Sequence, residues 1–187
     1  NSIVIGTNAQ ADRKSPNATV DNAVVIGTDA EVTADNGIAI GNSALASERN
    51  ALAQGFDAHA VAESAVATGT RARASGVNAL ASGTDSAASV FNSIASGTDS
   101  RGLGSSSVAI GTGAISGFSP QPGDEGFNIN TIAIGNRAQA VYQDATAIGR
   151  ASLASEIAAT AIGDAANASE EAALAVGRNA SASGVSS

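Results

Sequence analysis

The sequence predicts an all-β chain, a parallel β-roll built of 14-residue coils, and three observations predict it. The first is a repeat. The stretch Asn36-Gly37-Ile38-Ala39-Ile40-Gly41-Asn42-Ser43-Ala44 returns along nearly the whole chain, with its second glycine recurring at Gly6, Gly27, Gly41, Gly55, Gly69, Gly83, Gly97, Gly111, Gly135, Gly149, Gly163 and Gly177. Nine of the eleven spacings are 14 residues and the other two are 21 and 24, so two loops interrupt an otherwise regular stack. The second observation is that side-chain size is constant in columns flanking these glycines. The third is composition: four Phe, one Tyr and no Trp or Met among 187 residues leave no material for a thick core. A disordered linker could share that composition, but it has no reason to keep register.

The first element of each coil is a short strand ahead of the glycine. Three residues before it stand Ile3, Val24, Ile38, Leu52, Val66, Leu80, Ile94, Val108, Ile132, Thr146, Thr160 and Leu174, all aliphatic or β-branched. Two before it, Ala fills every position except Val4 and Val25, and four before it every residue is small. A large face alternating with a small one at period two is the pattern of a strand with two environments.

The second element follows the glycine. Three residues after it every position is Ala or Ser, from Ala9 to Ala180, and five after it most are small again. Between them lie Gln10, Glu31, Leu45, His59, Arg73, Arg101, Gln139, Asn167 and Ser181, a mostly polar set expected to face water. The small faces of the two strands therefore meet inside the coil. One corner is at the glycine, which supplies positive φ or lets the next coil approach closely. The other, five residues before it, holds Asn22, Asn36, Asn50, Ser64, Asn78, Asn92, Ser106, Asn130 and Asp144, residues suited to turns. Twelve coils at about 4.8 Å each make a rod roughly 55 Å long.

If Ala and Ser fill the inside, the aliphatic residues of the first strand must point out. Ile3, Ile5, Val24, Ile26, Ile38, Ile40, Val108, Ile110, Ile132, Ile134, Ile148 and Ile162 then form a continuous apolar stripe, larger than a monomer ordinarily exposes. The sequence thus predicts obligate homo-oligomerisation about the rod axis, with these residues as the interface. In the middle coils the residue before the glycine becomes Gln54, Thr68, Ser82 and Ser96. That block reads as a hydrated or hydrogen-bonded layer, or else as an ion or ligand site.

The insertions fall near residues 12–18 and 116–128, and both carry Pro, which cannot donate to a ladder. They are expected to be surface loops, with Arg13, Lys14, Asn17, Phe118, Gln121, Asp124, Glu125 and Phe127 as candidate partner contacts. The simpler reading of Phe118 and Phe127 is that their rings fold back over a neighbouring coil or subunit.

A formal net charge of −8 without a basic cluster argues against binding nucleic acid or an anionic membrane. Cysteine is absent, so disulfides and thiolate metal sites are excluded. No run of about 18 apolar residues appears, so no direct membrane contact is expected in this stretch. The chain opens directly on a repeat and reads as a piece of a longer protein. Nothing suggests catalysis, a metal or a cofactor. His59, the single histidine, sits at an outward position; the serines follow the repeat; and the Gly-Thr-Asp triples at 27–29, 83–85 and 97–99 are better explained as turns than as calcium ligands.

Asn1-Ser2-Ile3-Val4-Ile5-Gly6, Asn22-Ala23-Val24-Val25-Ile26-Gly27, Ser106-Ser107-Val108-Ala109-Ile110-Gly111 and Asn130-Thr131-Ile132-Ala133-Ile134-Gly135 resemble the Asn-Ser-Val-Ala-Ile-Gly-x-x-Ser repeat of YadA-like heads. These belong to the trimeric autotransporter adhesins of Gram-negative bacteria, and the likeness covers nearly the whole chain. The resemblance implies a left-handed roll assembled as a homotrimer and displayed at the cell surface on a coiled-coil stalk. It also implies an outer-membrane anchor in a C-terminal region outside this chain. The implied partner is a host extracellular matrix protein such as collagen, or a host cell-surface receptor. The middle coils depart from the pattern by losing its last Ile.

Three other readings compete. A hexapeptide acyltransferase needs eighteen residues per coil and a histidine between subunits, which the 14-residue period and His59 do not match. An ice-binding solenoid needs a flat Thr ladder, absent from the outward column of the second strand. A purely structural spacer, presenting another binding domain of a surface fibre, fits the same residues.

Overall fold

The computed structural model describes residues 1–12, 20–117 and 129–184, and every strand or helix assigned within them is a short strand. Two parallel sheets of twelve strands run the length of the molecule. The first consists of the three-residue strands from Ile3–Ile5 to Leu174–Val176, and the second of the two-residue strands from Gln10–Ala11 to Ser181–Ala182. Within each sheet the strands follow one another in chain order, each pairing with the equivalent strand one coil away. The fold is therefore a parallel β-solenoid with 14-residue coils.

Register follows the repeat without slippage, so Ile38, Leu52, Val66, Leu80 and Ile94 stack in one column. The insertions leave this ladder intact, since Ile3 pairs with Val24 and Val108 with Ile132 across them. The second sheet likewise pairs Gln10 with Glu31 and Ile115 with Gln139. Ser116, expected in the second loop, instead completes the strand Ile115–Ser116 and is buried, and the amide of Gly117 still donates to the Ala140 carbonyl at 2.8 Å.

Alanine is the core. Ala39, Ala53, Ala67, Ala81 and Ala95 from the first sheet and Ala44, Ala58 and Ala72 beside the second are all fully buried, and the bulkiest enclosed side chains are only Val25 and Val32. A coil of 14 residues brings its two strands too close for anything larger. Even Val32 needs room made for it: a Cβ on Gly37, across the corner, would lie 2.5 Å from the Val32 Cγ1. Elsewhere this pair of positions is Ala46 with Ala51, or Ala60 with Ala65, and no glycine is needed.

The corners are hydrogen-bonded as regularly as the strands. The Asn36 amide donates to the Asp21 carbonyl at 2.9 Å, and the Asp57 amide to that of Asn42 at 2.9 Å. Both corners use left-handed backbone, at Asn36 and Asn50 (φ 59° and 60°) and at Asp57 and Asp85 (φ 51° and 56°). Asn and Asp tolerate that conformation best among residues with a Cβ. This accounts for the Gly-Thr-Asp triples: Asp29, Asp85 and Asp99 each take positive φ. The Asn side chains add a ladder of their own, with Nδ2 of Asn22 donating to Oδ1 of Asn36, and Asn36 to Asn50, each at 3.2 Å. The corner glycine is required twice over. Gly55 has φ 141°, and a Cβ there would sit 2.4 Å from the carbonyl oxygen of Gly69.

Candidate functional site

With the small side chains turned inward, two columns of the first sheet face outward. Ile3 and Ile5 are exposed, as are Ile26, Ile110, Ile134, Ile148 and Ile162, whereas Val24, Ile38, Ile40, Val108 and Ile132 are half-buried by their neighbours along the stack. All twelve residues expected at an interface thus lie on one face. It is a ladder of mostly aliphatic side chains, interrupted in the column that ends each strand by Gln54, Thr68, Ser82 and Ser96 between Ile40 and Ile110, and in the neighbouring column by Thr146 and Thr160 between Ile132 and Leu174. The neighbouring column stays apolar there, as Leu52, Val66, Leu80 and Ile94.

The outward column of the second sheet is less uniformly wet than its polar members suggest. Leu45, Ile115 and Leu153 interrupt it and are half-buried. His59, expected on the open surface, is also half-buried, with Nε2 3.0 Å from Oδ1 of Asp57; Arg73 reaches the other Asp57 oxygen at 3.9 Å. One coil further on, Arg71 makes a two-pronged contact with Asp85, Nε to Oδ1 at 2.6 Å and Nη2 to Oδ2 at 2.7 Å. That hydrogen bonding, with the attraction between the charges, holds the Asp85 carboxyl below its ordinary range and the Arg71 guanidinium above its own. Arg150 and Asp164 repeat the pairing near the other end at 2.9 Å. These are struts between coils. Among the described residues no three His, Cys, Asp or Glu side chains converge as a metal site would require.

The candidate contacts Arg13, Lys14, Asn17, Phe118, Gln121, Asp124, Glu125 and Phe127 lie outside the described residues. Sequence reasoning missed other outward-facing groups. Phe56 and Phe91 are 54% and 50% exposed at opposite corners, and Val77 stands one coil from Phe91 in the same column. Thr70, Thr84, Thr98 and Thr112 form a short rank at the corner just after the glycine, the last three exposed. Aligning the residue that follows each glycine would have found both Phe56 and this rank. The rank is one residue wide and runs along a turn, so it is not the flat face that ice binding needs.

A model of a known family, described as the YadA head domain repeat, matches the chain at residues 21–44, 46–72, 74–100, 91–114, 128–152, 143–166, 154–180 and 168–187. A search of curated proteins finds no match. The family matches run across most of the coils.

Proposed function

Because the chain belongs to the YadA head family, we propose that it is the adhesive head of a bacterial surface fibre, assembled from three copies. Its first-sheet faces meet around a common axis, and its outer faces and corners contact a host extracellular matrix protein or host-cell receptor. The observation that carries this is the inversion of sizes in each coil: alanine inside, isoleucine and valine outside. Fully burying such a side chain is worth about 2 kcal/mol, so covering one already half-covered adds about 1 kcal/mol. Ten of them would bring about 10 kcal/mol per chain, as much as the whole net stability of an ordinary domain.

Further copies of the same chain are the natural cover. A second rod has the same rise of about 4.8 Å per coil, so its ladder meshes along the full length, whereas an unrelated partner would fall out of step. Three parallel rods then present every outward group in triplicate at each coil. Weak individual contacts gain by multivalency under that arrangement. The exposed corners, with Phe56, Phe91 and the threonine rank, and the two insertions, with Arg13, Lys14, Asn17, Phe118, Gln121, Asp124, Glu125 and Phe127, are the surfaces we assign to partner contact. In this reading the fibre is anchored in the outer membrane by another part of the protein and serves attachment and virulence.

The test is to measure binding of the purified oligomer to matrix proteins and to host cells, beside variants lacking residues 13–19 or 118–128. Retained oligomer with saturable binding is expected. Loss in a deletion variant places the contact in that insertion, and unchanged binding places it on the repeated faces. An oligomer that binds neither matrix nor cells would make the chain a spacer.

A further inference from the structure

The polar block of the first sheet has a position as well as a composition. Along the column that ends each first-sheet strand, three apolar coils (Ile5, Ile26, Ile40) precede it and five (Ile110, Ile134, Ile148, Ile162, Val176) follow it. We propose that Gln54, Thr68, Ser82 and Ser96 form a register key, which fixes both the axial alignment and the parallel orientation of the copies that pack on this face. The inference rests on the copy-to-copy packing proposed above and adds what that packing lacks.

A face built from identical coils has no intrinsic register. Outside the polar block, sliding one rod past another by one coil, about 4.8 Å, sets one aliphatic side chain against another again, apart from Thr146 and Thr160 in the neighbouring column, whose methyl groups still meet hydrocarbon. The same weak specification of register affects any uniform ladder. A polar block removes the ambiguity, because amide and hydroxyl groups enclosed by a partner must find hydrogen bonds or bear an uncompensated desolvation penalty. In register, the four layers of one copy face the same four layers of the next, and their groups pair directly or through enclosed water. One coil out of register, Gln54 of one rod lies against Ile40 of the other and Ser96 against Ile110, so a polar group faces hydrocarbon at both ends of the block. A single polar position in an apolar seam specifies coiled-coil alignment in the same way.

The off-centre placement also selects orientation. Two antiparallel rods with fully overlapped ends would set each block two coils away from its counterpart. Aligning the blocks instead would leave two coils of isoleucine uncovered at each end. Parallel rods alone satisfy both conditions at once, and only parallel rods can close a threefold ring about the rod axis.

The test uses the full chain, with isoleucine δ1 methyls labelled for NMR and the oligomer mass measured by sedimentation equilibrium. A threefold assembly in register makes all copies equivalent, so the wild type is expected to give one methyl signal per isoleucine. The Gln54→Ile/Thr68→Ile/Ser82→Ile/Ser96→Ile variant is expected to remain oligomeric yet show several signals for each original isoleucine, as slipped or antiparallel forms appear. Should that variant aggregate, Gln54→Leu/Thr68→Val/Ser82→Ala/Ser96→Ala carries the same expectation with less added bulk. Co-expressed with differently tagged wild type, either variant is expected in mixed oligomers at least tenfold below the random proportion. A single set of methyl signals from an apolar variant, or random mixing, overturns the key while leaving the oligomer standing. A monomeric wild type overturns both.

Discussion

Replacing one corner glycine should separate the two reasons for glycine in this fold. Gly83 has φ 135°, and an added Cβ would lie 2.5 Å from the carbonyl oxygen and 2.6 Å from the carbonyl carbon of Gly97 in the next coil. Backbone in that region costs an alanine about 1–3 kcal/mol. The neighbouring carbonyl must also retreat by most of an ångström, which stretches the ladder on either side, and each bond weakened there costs about 1 kcal/mol. Gly83→Ala is therefore expected to lose about 3–5 kcal/mol per chain, in the range reserved for a broken structural feature. Gly113 is the control. Its φ of 65° is left-handed too, but an added Cβ meets nothing nearer than Arg137 Cγ at 3.6 Å. Ala151 and Ala165 already occupy the equivalent corner position at φ 54° and 55°. Gly113→Ala should cost about 1 kcal/mol for the backbone, offset by a smaller unfolded-state entropy, and so change stability by less than about 1 kcal/mol. Urea unfolding at a fixed protein concentration measures both, since association makes the midpoint concentration-dependent. Equal losses in the two variants, or a loss under about 1 kcal/mol for Gly83→Ala, would refute the claim that the glycine column exists for close approach of the coils.

Three further outcomes are expected. Gly37→Ala should destabilise by about 1–3 kcal/mol through overpacking against Val32, and Val32→Ala/Gly37→Ala, which restores the alanine pair of other coils, should recover most of it in a double-mutant cycle. Ala158→Asn and Ala172→Asn, at exposed left-handed positions with φ 56°, should each raise stability by about 0.5–1 kcal/mol, because asparagine suits that backbone and extends the side-chain ladder that Asn130 and Asp144 begin. For the Arg71–Asp85 pair the sign follows from the directions of the shifts. The lowered Asp85 carboxyl contributes stability above its ordinary range that is lost as pH falls through the folded value, while the raised Arg71 loses its share only at extreme alkaline pH. Melting temperature against pH should therefore fall less steeply on the acid side for Asp85→Asn, and the difference should shrink in high salt because both groups are partly exposed.

Whatever recurs at one position per coil was legible in the sequence. The glycine period located the first-sheet strands, and the alternation of Ala39 with Ile38 and Ile40 set which face points inward. What escaped were features that break or cross the columns. Left-handed backbone two residues after the glycine is occupied by Asn8, Ser43, Asp57, Arg71 and Ala151, too mixed a set to betray a shared conformation, because the corner hydrogen bonds impose it from outside. Gly37 looked like part of the motif, but its reason is Val32 five residues earlier. Ser116 borders the proline-bearing insertion, which masks the fact that its own position in the repeat is a small inward one. Phe56 stands in a corner column otherwise held by polar residues, and Phe91 in one where Val77, Ile129 and Ile157 alternate irregularly with charged and polar residues, so neither column carries a strand's alternation.

The central claim is that an alanine-filled rod needs sister chains to cover its isoleucines and valines. Sedimentation equilibrium of the purified chain across a dilution series measures that most directly. The expected result is a single species of three times the 18.0 kDa chain mass that loses its β-structure when dilution finally dissociates it. A folded 18.0 kDa monomer, stable in dilute solution with its aliphatic face in water, would contradict it.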